Sequence, residues 1–238
     1  MSEALPTIPF SSLCLAFLPS LFLIVVMKRW RLSAGEALYA NARMLGQLLL
    51  VGYALAYVFE AETPWVVLAV FALMVAVAAR IAMRPIPDRG ARVYAIVLAA
   101  IASSGFGMLI LVTQLVLDLP RWFEPRFTVP LAGMIFANTM NTVSLAAERF
   151  ASERRHQESV LEARRVALEA ALIPQINALL AVGLVSLPGM MTGQILSGIE
   201  PLVAVRYQIM VMCMVFGAGG LGAVFYLVLW PRHLALAR

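Results

Sequence analysis

The chain has little charge, since only 13% of its 238 residues are Asp, Glu, Lys or Arg, whereas 62% are hydrophobic and the mean hydropathy is +0.89. A typical soluble domain carries about 25% charged residues. The charges here cluster between apolar runs long enough to cross a hydrocarbon core of about 30 Å. These scarcities exclude a soluble globular protein. They predict a single all-α, polytopic transmembrane domain over residues 1–238, embedded in a lipid bilayer.

Catalytic motifs are lacking as well. There is no GxxxxGK[ST] phosphate-binding loop and no HExxH zinc motif. The one lysine, Lys28, is far from the last apolar run, which excludes a retinal Schiff base there. No carboxylate falls convincingly at the middle of an apolar run, which disfavours a proton- or sodium-coupled carrier. We therefore expect a chain that is not an enzyme, has no catalytic residue and holds no cofactor of its own, with any metal site unknown.

The two cysteines, Cys14 and Cys213, both fall inside apolar runs. This position is typical of small buried hydrophobic side chains, so we expect no disulfide between them.

Apolar length and flanking Pro or Gly residues predict about seven transmembrane helices. The predicted spans are residues 8–27, 41–59, 65–83, 93–117, 128–147, 176–198 and 202–230. With the N-terminus outside and the C-terminus cytoplasmic, fifteen of the 18 Lys and Arg residues lie inside, and only Arg121, Arg126 and Arg206 lie outside. The net charge of +5 thus sets topology, and no nucleic-acid partner is expected.

The segment from Glu148 to Leu172 departs from this pattern, because it holds five arginines and five glutamates. No Gly or Pro interrupts it, which predicts one continuous helix at about 148–172 that runs into the cytoplasm. Its charged surface is either a solvated linker or a docking site for a cytoplasmic partner. The candidate docking residues are Glu158, Glu162, Arg164 and Arg165.

A second departure is Pro188-Gly189, which lies inside a predicted span. Proline removes a backbone donor and glycine eases distortion, so we expect a helix break there, or else a simple kink. Breaks at membrane depth often mark binding sites in transporters. Amides and thioethers near the break and in neighbouring spans are candidates for a transport path, although amides also tie helices together and Met fills cores. The candidate path residues are Asn138, Asn141, Asn177, Met190, Met191, Gln194 and Gln208.

Several runs of the sequence resemble a known family. They are Arg43-Met44-Leu45-Gly46-Gln47, Ala170-Ala171-Leu172-Ile173-Pro174, Leu187-Pro188-Gly189-Met190-Met191-Thr192-Gly193 and Tyr207-Gln208-Ile209-Met210. Together they resemble the FetB-type permeases of ABC transporters, a family that includes bacterial iron-export and plant aluminium-tolerance permeases. The similarity extends from about Glu36 to the end of the chain.

The resemblance implies a permease subunit in a bacterial inner (plasma) membrane, present as a homodimer. A separate cytoplasmic P-loop ATPase would bind ATP, and a metal ion such as iron would be exported. Relatives carry a glycine-containing turn before Ala-Leu-Ile-Pro, but no glycine lies between Arg149 and Val182 here. The alternative hypothesis is therefore a membrane-embedded binding or regulatory protein that has lost coupling to an ATPase.

Overall fold

The structure is a computed structural model that describes residues 9–60, 63–86, 89–155 and 159–230. The chain divides into two compact units, Met1–Glu60 and Ala61–Arg238. Across the described residues, every named element is helical, which confirms the all-α class. Five helices are long and apolar enough to cross a membrane.

The described residues of the first unit, 9–60, form three helices. They are α1 (Phe10–Leu15), α2 (Leu18–Arg29) and α3 (Ala34–Phe59). Lys28 and Arg29 lie in the last turn of α2, where positive charge complements the partial negative charge of the helix end. Residues 11–29 and 34–59 are both candidate membrane spans.

The second unit contains six α-helices and one π-helical segment among its described residues. The α-helices are α4 (Pro64–Ala82), α5 (Ala91–Ile110), α6 (Pro125–Glu153), α7 (Val160–Ala181), α8 (Gly189–Leu196) and α9 (Pro201–Leu229). The π-helix, Leu111–Val116, continues α5. Helix α6 lies at the centre of this unit and packs against α4, α5, α7 and α9.

Five of the predicted spans correspond to helices that are candidate spans in the structure, at 11–29, 34–59, 64–82, 91–116 and 201–229. The predicted span 128–147 lies within α6, whose asparagines and threonines lower its hydropathy. The predicted span 176–198 is not one helix, because α7 ends at Ala181 and α8 begins at Gly189. The count of seven and the orientation of the termini stay predictions.

Small residues allow α9 to approach its neighbours closely. A Cβ atom added at Gly219 would lie 2.9 Å from Thr142 Oγ1 of α6. One added at Gly222 would collide with Thr139 Cγ2 and lie 2.9 Å from Ser104 Oγ of α5. Close approach through glycine is a common way to pack helices in membranes, where apolar burial drives association weakly.

The prediction of one continuous helix over 148–172 is wrong. Helix α6 ends at Glu153, and α7 begins at Val160 after Ser159, whose hydroxyl accepts a hydrogen bond from the Glu162 N–H at 3.3 Å. Ser159 and Glu162 have the Ser-x-x-Glu spacing of a capping box, a helix-start signal that needs neither Gly nor Pro. The expectation that Cys14 and Cys213 are buried is also wrong, since both are exposed free thiols.

Candidate functional site

The chain between α7 and α8, residues 182–188, forms a tight turn. Gly183 has a φ of +84°, a conformation that suits glycine, and its N–H donates to Ser186 O at 2.9 Å. The N–H groups of Val185 and Ser186 donate to Ala181 O at 2.8 and 3.1 Å. These bonds pair backbone groups inside the turn. Non-helical backbone at membrane depth requires such pairing.

The turn leads directly into α8. Pro188 has extended backbone angles and precedes the helix as its N-cap, and Gly189 is the first helical residue. The N–H of Thr192 donates to Pro188 O at 3.0 Å, which closes the first turn. Proline therefore stands where a helix begins, a position at which its missing N–H costs little.

A cavity of about 280 Å³ lies beside this break, between α6, α7, α8 and α9. Pro188 and Gly189 line it, together with apolar side chains of α7 and α9. Its remaining lining consists of amide and thioether side chains. These are Asn138, Gln175 and Gln208, and Met134, Met190 and Met212. Among the residues that the structure describes, no charged side chain lines the cavity.

Gln175 connects α7 to α6 at the cavity. Its Nε2 donates to Thr142 Oγ1 at 3.0 Å and to Asn138 Oδ1 at 3.4 Å. Thr142 Oγ1 donates in turn to Asn138 O at 2.9 Å, and Asn138 Nδ2 donates to Met134 O at 3.1 Å. Gln175 is only 8% exposed. A buried network in which the donors are satisfied fixes the position of α7 against α6.

Gln208 differs from the other two amides. It is 6% exposed, and its Oε1 accepts no hydrogen bond from the part of the chain that the structure describes. A buried acceptor without a partner costs about 1–3 kcal/mol. Among the three amide side chains that line the cavity, Gln208 is therefore the one whose oxygen has an unused hydrogen-bonding capacity.

Of the seven path residues predicted from the sequence, the structure brings Asn138, Met190 and Gln208 to the cavity. Asn141 and Asn177 are exposed, and Met191 and Gln194 are half-buried away from the lining. Sequence reasoning missed Met134, Gln175 and Met212. Helical spacing could have found two of them, because Met134 precedes Asn138 and Met212 follows Gln208 by four residues.

Helix α7 joins the cavity to the predicted cytoplasmic side. Its buried face is a stripe of small residues, Ala163, Ala167 and Ala171, that ends one turn later at Gln175. Helices pack closely along such small side chains. A shift of the outer end of α7 would therefore be passed along its packed face towards the cavity, with Pro174 inside the helix directly before Gln175.

The opposite face of α7 changes character along its length. Leu161, Arg165 and Glu169 are exposed at four-residue spacing, and Ile173 continues the same line. The change from charged to apolar is typical of a helix that enters hydrocarbon. Leu161, at the start of this line, is 77% exposed.

The structure describes three of the four predicted docking residues, and their surroundings differ. Glu158 lies outside the described residues. Arg164 is half-buried and donates from Nη2 to Trp230 O, the C-cap of α9, at 3.5 Å. Glu162 and Arg165 form an exposed ion pair at 2.7 Å. The hydrogen bond from Arg165 is the main cause that lowers the pKa of the Glu162 carboxyl.

In the described ranges, no three His, Cys, Asp or Glu side chains come together in a group that could hold a metal ion. The cavity is therefore the feature of the second unit that combines concavity, buried polar atoms and a helix break. Those three properties together are typical of a binding site in a transporter.

Comparison with known proteins agrees with these features. The chain matches the uncharacterised protein family UPF0014 over residues 10–166 and 154–234. The UPF0014 membrane protein slr1647 of Synechocystis is 38% identical over 76% of this chain and 76% of its own length. STAR2 of rice, also named a UPF0014 membrane protein, is 34% identical over 83% of this chain and 73% of its own length.

The similarity extends to a protein named for transport. The probable iron export permease protein FetB of Escherichia coli is 30% identical over 95% of this chain and 92% of its own length. No solved structure matches this chain with significance. With its apolar helices and these matches, the chain is a multi-pass membrane protein that belongs to the UPF0014 family.

Proposed function

We propose that this chain is the permease subunit of an ABC transporter, which moves a substrate across a bacterial inner membrane with a separate P-loop ATPase. The observation that carries the proposal is the connection made by α7. One end of this helix presents an exposed Leu161-Arg165-Glu169 face, and the other end places Gln175 in the cavity. A permease requires such a link between a motor and a path.

The name of the Escherichia coli relative supports a metal ion as the substrate and export as the direction, with iron as the candidate. The cavity supports a path because it lies at a helix break and contains three amides. A pair of these chains in the complex, as in other two-fold transporters, would provide two such cavities.

The alternative is a membrane-embedded binding or regulatory protein that has lost coupling to an ATPase, and its motivation is the absence of glycine between Arg149 and Val182. The helix over this segment is interrupted, because α6 ends at Glu153 and α7 begins at Val160. An interruption followed by the Ser159 cap favours the permease proposal over this alternative.

The experiment that tests the proposal is a pull-down of the detergent-solubilised chain from its native membrane, probed for a P-loop ATPase. We expect the ATPase to co-purify with the wild-type chain and to be lost on the Arg165→Glu substitution combined with Leu161→Asp. The matched control is Arg126→Glu, an exposed charge reversal on the side predicted to be external.

Two outcomes contradict the proposal. One is that no ATPase co-purifies under gentle conditions. The other is that substrate movement by vesicles containing the chain continues without ATP. Equal retention of the ATPase by the wild-type chain and the Leu161→Asp, Arg165→Glu variant would contradict only the docking surface.

A further inference from the structure

The thioethers of the cavity come from three different helices. Met134 is on α6, Met190 on α8 and Met212 on α9, and all three are half-buried in the cavity lining. Methionine has three rotatable side-chain bonds, so sulfur atoms on converging helices can turn towards one bound atom. Thioether sulfur is a soft ligand that selects ions such as Cu(I) over hard ions.

The oxygen of Gln208 adds a second, independent observation. Gln208 lines the same cavity, and its Oε1, which is covered by neighbouring atoms, accepts no hydrogen bond from the residues that the structure describes. A carbonyl oxygen is the negative end of a dipole. A rotation of the carboxamide would bring this oxygen to a cation in the cavity, which would satisfy it, whereas an apolar occupant would leave it unpaired.

The charge of the lining limits the charge of the ion. Because the cavity is neutral and largely apolar, a divalent or trivalent ion would lose its water there without a carboxylate to compensate. A soft monovalent ion loses less hydration and gains sulfur ligands. We propose that Met134, Met190 and Met212, with Gln208 Oε1, bind a soft monovalent cation of the Cu(I) or Ag(I) kind.

This inference rests on the proposed function, since it names the class of substrate that the path would accept. It departs from iron, which the name of the Escherichia coli relative suggests, because the cavity holds thioethers and amides where a hard ion needs carboxylates. The two proposals make separate predictions, because ion binding involves the cavity and ATPase recovery involves the exposed face of α7.

The test uses Ag(I), a redox-stable soft cation, titrated calorimetrically into the full-length purified chain. Cys14 and Cys213 are exposed thiols that would bind Ag(I) themselves, so the titration is made in a Cys14→Ala, Cys213→Ala background. We expect about one tight Ag(I) per chain. Each single change, Met134→Leu, Met190→Leu or Met212→Leu, should weaken binding about tenfold or more, and the triple change should abolish it.

Leucine and methionine have similar volumes, so these variants should fold, and thermal unfolding without Ag(I) verifies this. The control is Met210→Leu, two residues before Met212 on α9 but outside the cavity lining, which should leave Ag(I) affinity unchanged. Gln208→Leu should weaken binding by a smaller factor than the triple methionine change.

Three results would overturn the cation site. They are Ag(I) binding that survives the triple change, binding that falls equally in the Met210→Leu control, and displacement of Ag(I) by excess Fe(II). A chain that binds Ag(I) as expected but recovers no ATPase would keep the site and refute the permease proposal. A chain that recovers the ATPase but binds no Ag(I) would keep the permease proposal and refute the cation site.

Discussion

Helices α6 and α9 make an instructive comparison, because each has 29 residues, each has proline in its first turn, and the two pack against each other. Only α9 is apolar enough to be a candidate membrane span. Helix α6 carries two asparagines and three threonines, whereas α9 carries one amide, Gln208, and the run Gly217-Ala218-Gly219-Gly220. Helix α6 supplies most of the polar groups, and the glycines of α9 leave the space that these groups occupy.

The polar side chains of α6 are satisfied largely by its own backbone. Thr142 and Thr128 donate to the carbonyl four residues earlier, both at 2.9 Å, and Asn138 does the same at 3.1 Å. Gly219 of α9 then lies directly against Thr142. A polar helix is stable in a membrane when other helices cover it. The mean hydropathy of a central helix such as α6 therefore underestimates its tendency to lie in a membrane.

The largest expected effect comes from adding a side chain at a glycine of α9 that packs closely against α5 and α6. In Gly222→Leu, the new side chain would collide with Thr139 and Ser104. Overpacking alone costs about 1–3 kcal/mol and occasionally more, and here two helices would have to move. We expect little monodisperse protein in size-exclusion chromatography and a much lower unfolding temperature.

The control for this change is Gly107→Leu on α5, where a Cβ atom would meet nothing within 4 Å. Near-normal yield of Gly107→Leu beside loss of Gly222→Leu would show that close packing of α9 is responsible. Equal yields and equal unfolding temperatures of the two variants would contradict this explanation by close packing of α9.

The next largest effect concerns the helix break at Pro188-Gly189, between α7 and α8. The double change Pro188→Ala, Gly189→Ala adds a backbone donor before α8 and removes the glycine at its start. A Cβ atom at position 189 meets nothing within 4 Å, so stability should change little. We expect membrane insertion to be intact and transport in vesicles to fall at least tenfold, because the cavity lining shifts. Unchanged transport would indicate a passive kink.

A smaller effect tests the amide network that α6 shares with α7. Gln175→Leu and Thr142→Val should each destabilise the chain, and a double-mutant cycle should give a coupling energy of about 0.6 kcal/mol and not above about 1.7 kcal/mol, the mean and the maximum for hydrogen bonds between membrane helices. The readout is thermal or denaturant unfolding in detergent.

The matched control pairs Asn177→Leu with Thr142→Val. Asn177 is on the same helix as Gln175 but is exposed, so this cycle should show no coupling. Coupling of equal size in both cycles would mean that the effect comes from α7 as a whole.

The sequence predicted the all-α class and the polar region near Pro188. Both depend on local features of the chain, namely the length of apolar runs and the effect of proline on the backbone around it. The sequence did not predict that Gln175 and Asn138, 37 residues apart, would share a hydrogen bond, because that contact depends on how α7 packs against α6. It also overlooked the cap at Ser159, although Ser159 and Glu162 carry a local signal for it. The exposure of Asn141 depends on the rotation of α6 about its axis, which a uniformly apolar pattern leaves open.

The smallest expected effect concerns the ion pair between Glu162 and Arg165, near the start of α7. The pKa of Glu162 is lowered in the folded chain, chiefly by the hydrogen bond from Arg165. Its carboxylate therefore favours the folded state above the ordinary carboxyl pKa, and this contribution disappears as the pH falls through the lowered pKa. Because the pair is exposed, the change in unfolding temperature should be small.

We expect Glu162→Gln to melt slightly below the wild type at pH 7 and to match it once the pH is below the lowered pKa of Glu162, measured by thermal unfolding in low salt. Glu148→Gln, an exposed carboxyl of α6, serves as the control and should show a smaller difference at pH 7. If the Glu162→Gln variant instead loses the ATPase while its melting temperature is unchanged, the ion pair acts in recognition more than in helix stability. That result would separate the partner surface of α7 from the packing that holds its other end at the cavity.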